Sequence, residues 1–314
     1  MTTATTTLSR HPALAVPAHL PVTHLSHSSL ALFWRCPERW RRRYVLRERE
    51  SVGGAAVIGK AVGAALTARF AAQIAGHSLS LRDADDLYLA EFDDAASAAF
   101  FQDKEPPAVL RRQGRQVLVA YLSRVAPTLR PISVERRVEL RFDGAQWSFL
   151  GYLDVEDASG EVFDLKVKAK HLSQAEADHS AQASAYLLAR SLEGRPARRF
   201  AFHSLRRGAK RADVQVVQTE RSPGQLEAFE RRLAQTARAI ARCVDTGDWG
   251  YAAQEGWWCS AGPSGCPHFL CVPRRGRRAA YGARAGGVTA RAGERAAPAG
   301  RVAAPASVTP NQPP

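Results

Sequence analysis

The stretch Gly151–Lys170, GYLDVEDASGEVFDLKVKAK, reads as two short strands joined by a turn. Side chains alternate along a strand, so Asp164 and Lys166 share one face while Phe163, Leu165 and Val167 point the other way, into a core. At a rise of about 3.3 Å per residue, Asp164 and Lys166 stand ~7 Å apart along the strand. If the turn over Asp157–Gly160 folds the strands antiparallel, Asp154 comes level with the second strand and the two carboxylates converge. Two carboxylates and an amine beside an apolar sheet are costly to leave unpaired, and a divalent cation is their natural partner. That grouping suits metal-assisted cleavage of a phosphodiester, with Lys166 holding or activating the attacking water. The plainer reading of Asp-x-Lys on a strand is a solvated face with a weak ion pair.

Outward from this stretch, composition narrows the choice. A chain of 314 residues with 45% hydrophobic content can bury one large core, or one core plus a small module. Its net charge of +14 points to an anionic partner, nucleic acid first. Val272–Pro314 carries eight arginines against Glu294 alone, which is +7, so the remainder of the chain is basic on its own account. No run of eighteen apolar residues appears, and no membrane span or membrane partner is expected. The first residues lack a charged segment followed by an apolar block, so no secretion signal is expected. Five cysteines do not make a disulfide scaffold at this length, and their clustering argues for a metal site in a reducing compartment, the cytoplasm.

Residues 1–22, rich in Thr, Pro and Ala, are expected to be unstructured. Ser26 or Ser28 caps a helix carrying Leu30, Phe33, Trp40 and Tyr44 near one face, with Pro37 interrupting. Arg35, Arg39, Arg41, Arg42 and Arg43 crowd this element beside Trp34 and Trp40, a pattern that serves either a phosphate-contacting surface or a solvated face over buried aromatics. Val52–Phe70 has the small-residue pattern of a core helix, and Leu81–Ala120 reads as helix broken at Glu105-Pro106-Pro107. From Pro131 the period changes to two. Asp143-Gly144 signals a hairpin whose return strand is Trp147–Val155, with Glu135 early in it and expected to be solvated. After the acidic stretch, Ser173 and Glu176 form a capping box for a helix through Glu193, on which Gln182 and Tyr186 share a face. Arg198–Leu205 and Asp213–Thr219 read as strands. Ser222-Pro223 then opens a helix with Leu226, Phe229, Leu233, Ala237, Ile240 and Val244 inward. Past Val272 the chain is expected to be disordered, an Arg/Ala/Gly/Pro-rich basic tail over 272–314.

Cys259, Cys266 and Cys271 lie in one loop as C-x6-C-x4-C. Three thiols need a fourth ligand to close a tetrahedral or cluster site, and Cys36, Cys243 and His268 are the candidates. Zinc and an iron-sulfur cluster both fit that spacing.

Taken in order, Ser26-x-Ser28-x-Leu30 before Cys36-Pro37 and Tyr44, then Gly59-Lys60-Ala61-Val62, Gly151-Tyr152-Leu153-Asp154, Asp164-Leu165-Lys166, Gln182 with Tyr186, and the cysteine loop form a series. It resembles the RecB-like nucleases of the PD-(D/E)XK superfamily, and within them the iron-sulfur members, which include the CRISPR-adaptation exonucleases and the AddB nuclease domain. The resemblance spans roughly Leu25–Cys271. It implies an α/β, restriction-endonuclease-like fold over 23–271, with a mixed central sheet flanked by helices and an iron-sulfur cluster joining the N- and C-terminal parts. Asp154 and Asp164 would bind Mg2+ or Mn2+, with Leu165 offering its carbonyl, and Lys166 would be the catalytic lysine. Gln182 and Tyr186 would orient substrate or water. Cys36, Cys259, Cys266 and Cys271 would hold a [4Fe-4S] cluster, zinc being the alternative. The implied activity is a DNA exonuclease of recombination, repair or CRISPR-type processing, working on DNA with a helicase or recombination partner. The series departs from the family at Gly63, where a metal-binding His is usual. The alternative expectation is therefore a nuclease-fold protein that binds DNA, or a helicase, without cutting.

Overall fold

The structure is a computed structural model that describes residues 14–50, 52–197, 199–208 and 212–250, the strand at 4–8 by its backbone, and Cys259 and Cys266. The chain divides into Met1–Cys271 and Val272–Pro314. The second unit, and with it the expectation for the tail, lies outside the described residues.

In chain order the strands are β1 (Ala4–Leu8), β2 (His24–Leu25), β3 (Val52–Gly53), β4 (Ala99–Phe100), β5 (Pro131–Phe142), β6 (Ser148–Asp157), β7 (Val162–Lys168), β8 (Arg199–Arg206) and β9 (Asp213–Glu220). The helices are α1 (His27–Arg35), α2 (Pro37–Trp40), α3 (Gly54–Ile74), α4 (Leu81–Ala96), α5 (Pro107–Arg124), α6 (Gln174–Asp178), α7 (Ala181–Leu192) and α8 (Pro223–Thr246), with a π-helical turn at Arg41–Val45. The sheet runs β1-β5-β6-β7-β8-β9, and β2 adds to β6. Pairs β5/β6, β6/β7 and β8/β9 are antiparallel, while β7/β8, β1/β5 and β2/β6 are parallel. The sheet is therefore mixed. β3 and β4 make a separate two-stranded sheet.

Helices cover both faces. On one, Leu30 and Phe33 of α1, Leu187 of α7 and Leu233 and Ile240 of α8 pack on Val138, Leu140, Phe149, Val162 and Phe200. On the other, Val57, Ile58, Val62 and Phe70 of α3, Tyr88 and Phe92 of α4 and Val117 and Tyr121 of α5 pack on Val155, Phe163 and Leu205. α3 is long and apolar enough by length and composition to cross a membrane, yet seven of its residues are buried in this core and Lys60 ion-pairs with Glu91 and Asp94.

Local chemistry accounts for most boundaries. Ser26 caps α1 by accepting from Ser29 N, and Pro37 occupies the first turn of α2, where its missing N–H costs nothing. Ser80, Ser173 and Ser222 each close a full capping box. Three expectations need correction. The helix after Ser173 is two helices: the chain turns at His179 and restarts because the Ser180 hydroxyl accepts from Ala183 N and caps a new N-terminus. Residues 14–22 are not without structure, because Pro17 accepts from Trp147 Nε1, Ala18 from Gln146 N and Ala15 from Arg238, while Val16, Leu20 and Val22 pack on the core. Val244 is exposed: at this end of α8 its neighbour Cys243, not Val244, packs on the core.

Candidate active site

β6 forks away from β7. One edge of β6 pairs with β5 along nearly its whole length. On the other edge β2 takes Ser148 and Phe149, and β7 takes Val155 and Glu156, so the segment between has no strand partner on that side. Its polar groups are satisfied by side chains instead. Tyr152 N–H donates to Tyr186 Oη (3.3 Å), and the Leu165 N–H of the departing β7 donates to Asp154 Oδ2 (2.9 Å). The turn that joins the two strands places Gly160 at φ +84°, with Gly160 N donating to Asp157 O.

The fork gathers the acidic groups. Asp154 and Asp164 are the next residues on the two arms past the last β6/β7 pair, Val155↔Phe163, and Glu135 lies between the β5/β6 pairs Val134↔Val155 and Arg136↔Leu153 that flank Asp154. Three carboxylates thus stand in a row across three strands. Asp164 is 2% exposed; its Oδ1 accepts from Gln182 Nε2 of α7, and its Oδ2 lies 2.7 Å from Lys166 Nζ. That contact is an ion pair without hydrogen-bond alignment, and Oδ2 receives no hydrogen bond. Burial first, and then the Asp164 charge, push the Asp154 carboxyl well above the usual carboxylate range. Glu135 is raised too, by burial with Asp164 adding, against the Thr67 hydroxyl that donates to it at 3.4 Å. It is solvent-exposed as expected, but it also faces the acidic row.

All five site residues named from sequence therefore meet here: Asp154, Asp164, Lys166, Gln182 and Tyr186. Phe163 is fully buried behind them, and Leu165 and Val167 pack partly on the same layer. Two further residues contribute without having been expected in the site. Gly151 is needed because a Cβ there would fall 2.5 Å from Tyr186 Cε1. His27, the middle residue of Ser26-x-Ser28, stands beside Tyr186 with Asp164 and Lys166 as electrostatic neighbours. The histidine lies within that motif, but nothing local in the sequence tells which side of the sheet α1 covers.

A cation suits this donor set. A buried carboxylate oxygen met only by the Lys166 ammonium among the described residues, beside a second carboxylate held uncomfortably close, still has a lone pair to offer. Among the described residues no three His, Cys, Asp or Glu side chains gather to enclose an ion. Two carboxylates completed by water and substrate oxygens match the habit of Mg2+ and Mn2+ rather than a closed protein cage. Gly63 leaves open space on α3, where an added Cβ would meet nothing within 4 Å.

The cysteine set is only partly described. Cys36 is buried at the cap of α2, its Sγ accepting from Arg39 N at 3.4 Å, and Cys266 is buried as well. Arg39 lies within electrostatic reach of both thiols. Cys259 and Cys243 are half-buried, and none of these four is in a disulfide. Cys271 and His268 lie outside the described residues. Of the nearby aromatics, Trp40 is fully buried against Phe33, Tyr44 and Trp249, with its Nε1 donating to Ser29 Oγ. Arg39, Arg41 and Arg42 pair with Glu50 and Glu38, so this element serves the core and its own ion pairs rather than stacking bases.

A mixed sheet between helical layers, with an acidic pair and a lysine at a strand fork, defines a nuclease-type α/β domain. The family comparison agrees. Residues 24–269 match the PD-(D/E)XK nuclease superfamily, and the chain belongs to it. A crystal structure of a candidate exonuclease from Eubacterium rectale is similar in fold, at TM-score 0.51 and 12% identity over 74% of this chain and 86% of that one. The crystal structure of SSO0001 aligns at TM-score 0.35 and 13% identity, over 70% of this chain and 76% of that one. No curated protein matches the chain.

Proposed function

We propose that the protein is a Mg2+- or Mn2+-dependent DNA exonuclease of the RecB-like kind, hydrolysing phosphodiester bonds in recombination, repair or CRISPR-type DNA processing. The observation that carries this reading is the pair of buried carboxylates at the open fork, Asp164 with the Lys166 ammonium 2.7 Å from its Oδ2 and Asp154 raised by burial and by the Asp164 charge. A divalent cation held by Asp154 and Asp164 supplies Lewis-acid polarisation of the phosphate. Gln182 fixes the Asp164 carboxylate by donating to Oδ1, so that Oδ2 keeps its aim. Lys166, about one-third exposed, presents an N–H donor to the attacking water while countering the charge of Asp164. Tyr186 keeps the fork open by capping the Tyr152 N–H. Glu135 is a further acidic group within electrostatic reach of both aspartates, though not gathered with them around one point among the described residues.

For the cysteines we infer a [4Fe-4S] cluster on Cys36, Cys259, Cys266 and Cys271, with zinc as the alternative occupant. The burial of both Cys36 and Cys266, with the half-buried Arg39 within electrostatic reach of each, supports it. The second functional reading is a DNA- or helicase-binding protein that does not cut, favoured by Gly63 in place of an imidazole.

The test is anaerobic purification, a visible spectrum, and nucleotide release from single- and double-stranded DNA with Mn2+ or Mg2+. Asp164→Ala and Lys166→Ala are each expected to reduce release by at least about a hundredfold. Release at the parental rate in both variants ends the nuclease reading. A colourless, zinc-loaded preparation ends the cluster assignment alone.

A further inference from the structure

β2 ends one residue before α1 begins, and that short connection sets His27 at the mouth of the fork. Continuing the parallel β2/β6 register by two residues brings His27 level with Gly151, the glycine on which Tyr186 packs. The imidazole is edge-on to the Tyr186 ring, with centroids 6.4 Å apart and planes at 75°. Lys166 and Asp164 are its electrostatic neighbours across the opening.

The backbone behind it is firmly held. Leu30, Leu32 and Phe33 of α1 are buried, Trp34 Nε1 donates to Thr236 Oγ1 (2.8 Å), and Trp40 Nε1 donates to Ser29 Oγ (2.8 Å). The ring itself is half-buried and makes no hydrogen bond among the described residues. Burial first and then Lys166 lower the imidazole's pKa against the opposing Asp164 charge, and in either protonation state the ring carries an N–H donor. A rigidly placed polar ring without a partner, at the rim of an opening, is matched to a group that arrives from solvent. The start of α1 and the Lys166 ammonium are both positive, which favours an anionic oxygen there.

We propose that His27 is a substrate-contacting residue whose ring N–H donates to a phosphate oxygen of the DNA strand laid along the fork, on the arm opposite Asp164. The nature of that strand rests on the nuclease reading above. A role as a metal ligand is the competing use of the same ring, and it is disfavoured because no third such side chain gathers with the aspartates among the described residues.

The experiment compares the full-length parent with His27→Ala and His27→Gln, after thermal melts establish that all three fold. A fluorescein-labelled oligonucleotide is titrated in EDTA, and cleavage is then followed across Mn2+ and DNA concentrations. His27→Ala is expected to weaken metal-free binding about tenfold and to raise KM by a similar factor, the loss of one hydrogen bond to a charged group. The Mn2+ concentration for half-activation and kcat stay near the parent's, and His27→Gln, which keeps an N–H donor, recovers part of the loss. Unchanged affinity and KM in His27→Ala overturn the proposal. So does a higher Mn2+ requirement with unchanged metal-free affinity, which makes the imidazole a ligand instead. A parent that binds the oligonucleotide but never cuts it removes the nuclease reading and leaves the metal-free arm to decide on His27.

Discussion

Glu135 is one of two non-glycine residues with left-handed backbone among the described residues, at φ +46°. Such a conformation costs on the order of 1–3 kcal/mol and persists where surrounding packing imposes it. Here it reverses the strand: Val134 packs with the α3 layer, whereas Arg136, two residues on, reaches Glu156 and Glu193 on the α7 side. β6 turns over at the same level, with Leu153 in one core layer and Val155 in the other. The row Glu135, Asp154, Asp164 therefore sits where the sheet changes face, which is how acidic groups reach an opening from an otherwise apolar surface. No residue type announces a positive φ at a glutamate, so this part of the site was not legible in the sequence. The facing of Asp164 and Lys166 was, because it follows from alternation alone. Gly151 gives a prediction at this scale. In Gly151→Ala the new methyl lands on a ring that is itself packed on Phe200, so Tyr186 has to move. The expected cost is about 1–3 kcal/mol, with cleavage down at least about tenfold. Combining it with Tyr186→Leu, which vacates the space, should restore most of the melting temperature but not the activity. A Gly151→Ala protein as stable and active as the parent would show that the ring has room to give.

Among elements, α7 carries the burden of placing Gln182 and Tyr186, and it is anchored by charge as well as by packing. Glu156 of β6 is buried between Arg136 of β5, at 2.9 Å, and Arg190 of α7, while Arg136 also reaches Glu193 at 3.0 Å. Each member is less than about one-tenth exposed, so the network is worth keeping whole and costly to break. Glu156→Gln leaves the buried Arg190 guanidinium facing a neutral amide, while Arg136 keeps Glu193. The expected loss is roughly 3–5 kcal/mol, read as a fall of about 10 °C or more in the melting temperature. The register of α7 should loosen with it, so cleavage falls further than the fraction unfolded explains. A melting temperature within 2 °C or so of the parent's would mean that the charges are solvated in solution. Most elements were legible from capping serines, the Pro106-Pro107 break and the Asp143-Gly144 turn, since each acts through its own few residues. The division of α6 from α7 was not, because Ser180 is a helix-tolerable residue until its hydroxyl is seen to cap. Nor was the fork, which depends on a two-residue strand, His24–Leu25, taking an edge of β6 from far away in sequence.

At the scale of the whole molecule, charge and fold are separable. The unit Met1–Cys271 holds every residue of the proposed site, and it keeps +7 of the +14 formal charge, with the other +7 in Val272–Pro314. Attraction to a polyanion grows with the phosphates neutralised, and the logarithm of affinity falls with the logarithm of salt at a slope of about −0.9 per phosphate on duplex DNA, or about −0.7 on single strands. Ending the chain after Cys271 removes eight arginines and one glutamate. If even half of those arginines touch phosphates, the slope becomes shallower by about 3 to 4 units, and affinity at low salt drops by several orders of magnitude in the limit of additive contacts. The proposed site lies in the other unit, so kcat on saturating oligonucleotide should stay within about twofold while KM climbs. The measurement is anisotropy of labelled duplex and single-stranded DNA from 50 to 300 mM or so of salt, for both chain lengths, with Ca2+ in place of Mn2+ to hold the substrate uncut. A slope that does not change on truncation would assign the DNA contact wholly to the folded unit, and the tail's arginines would then need another anionic partner.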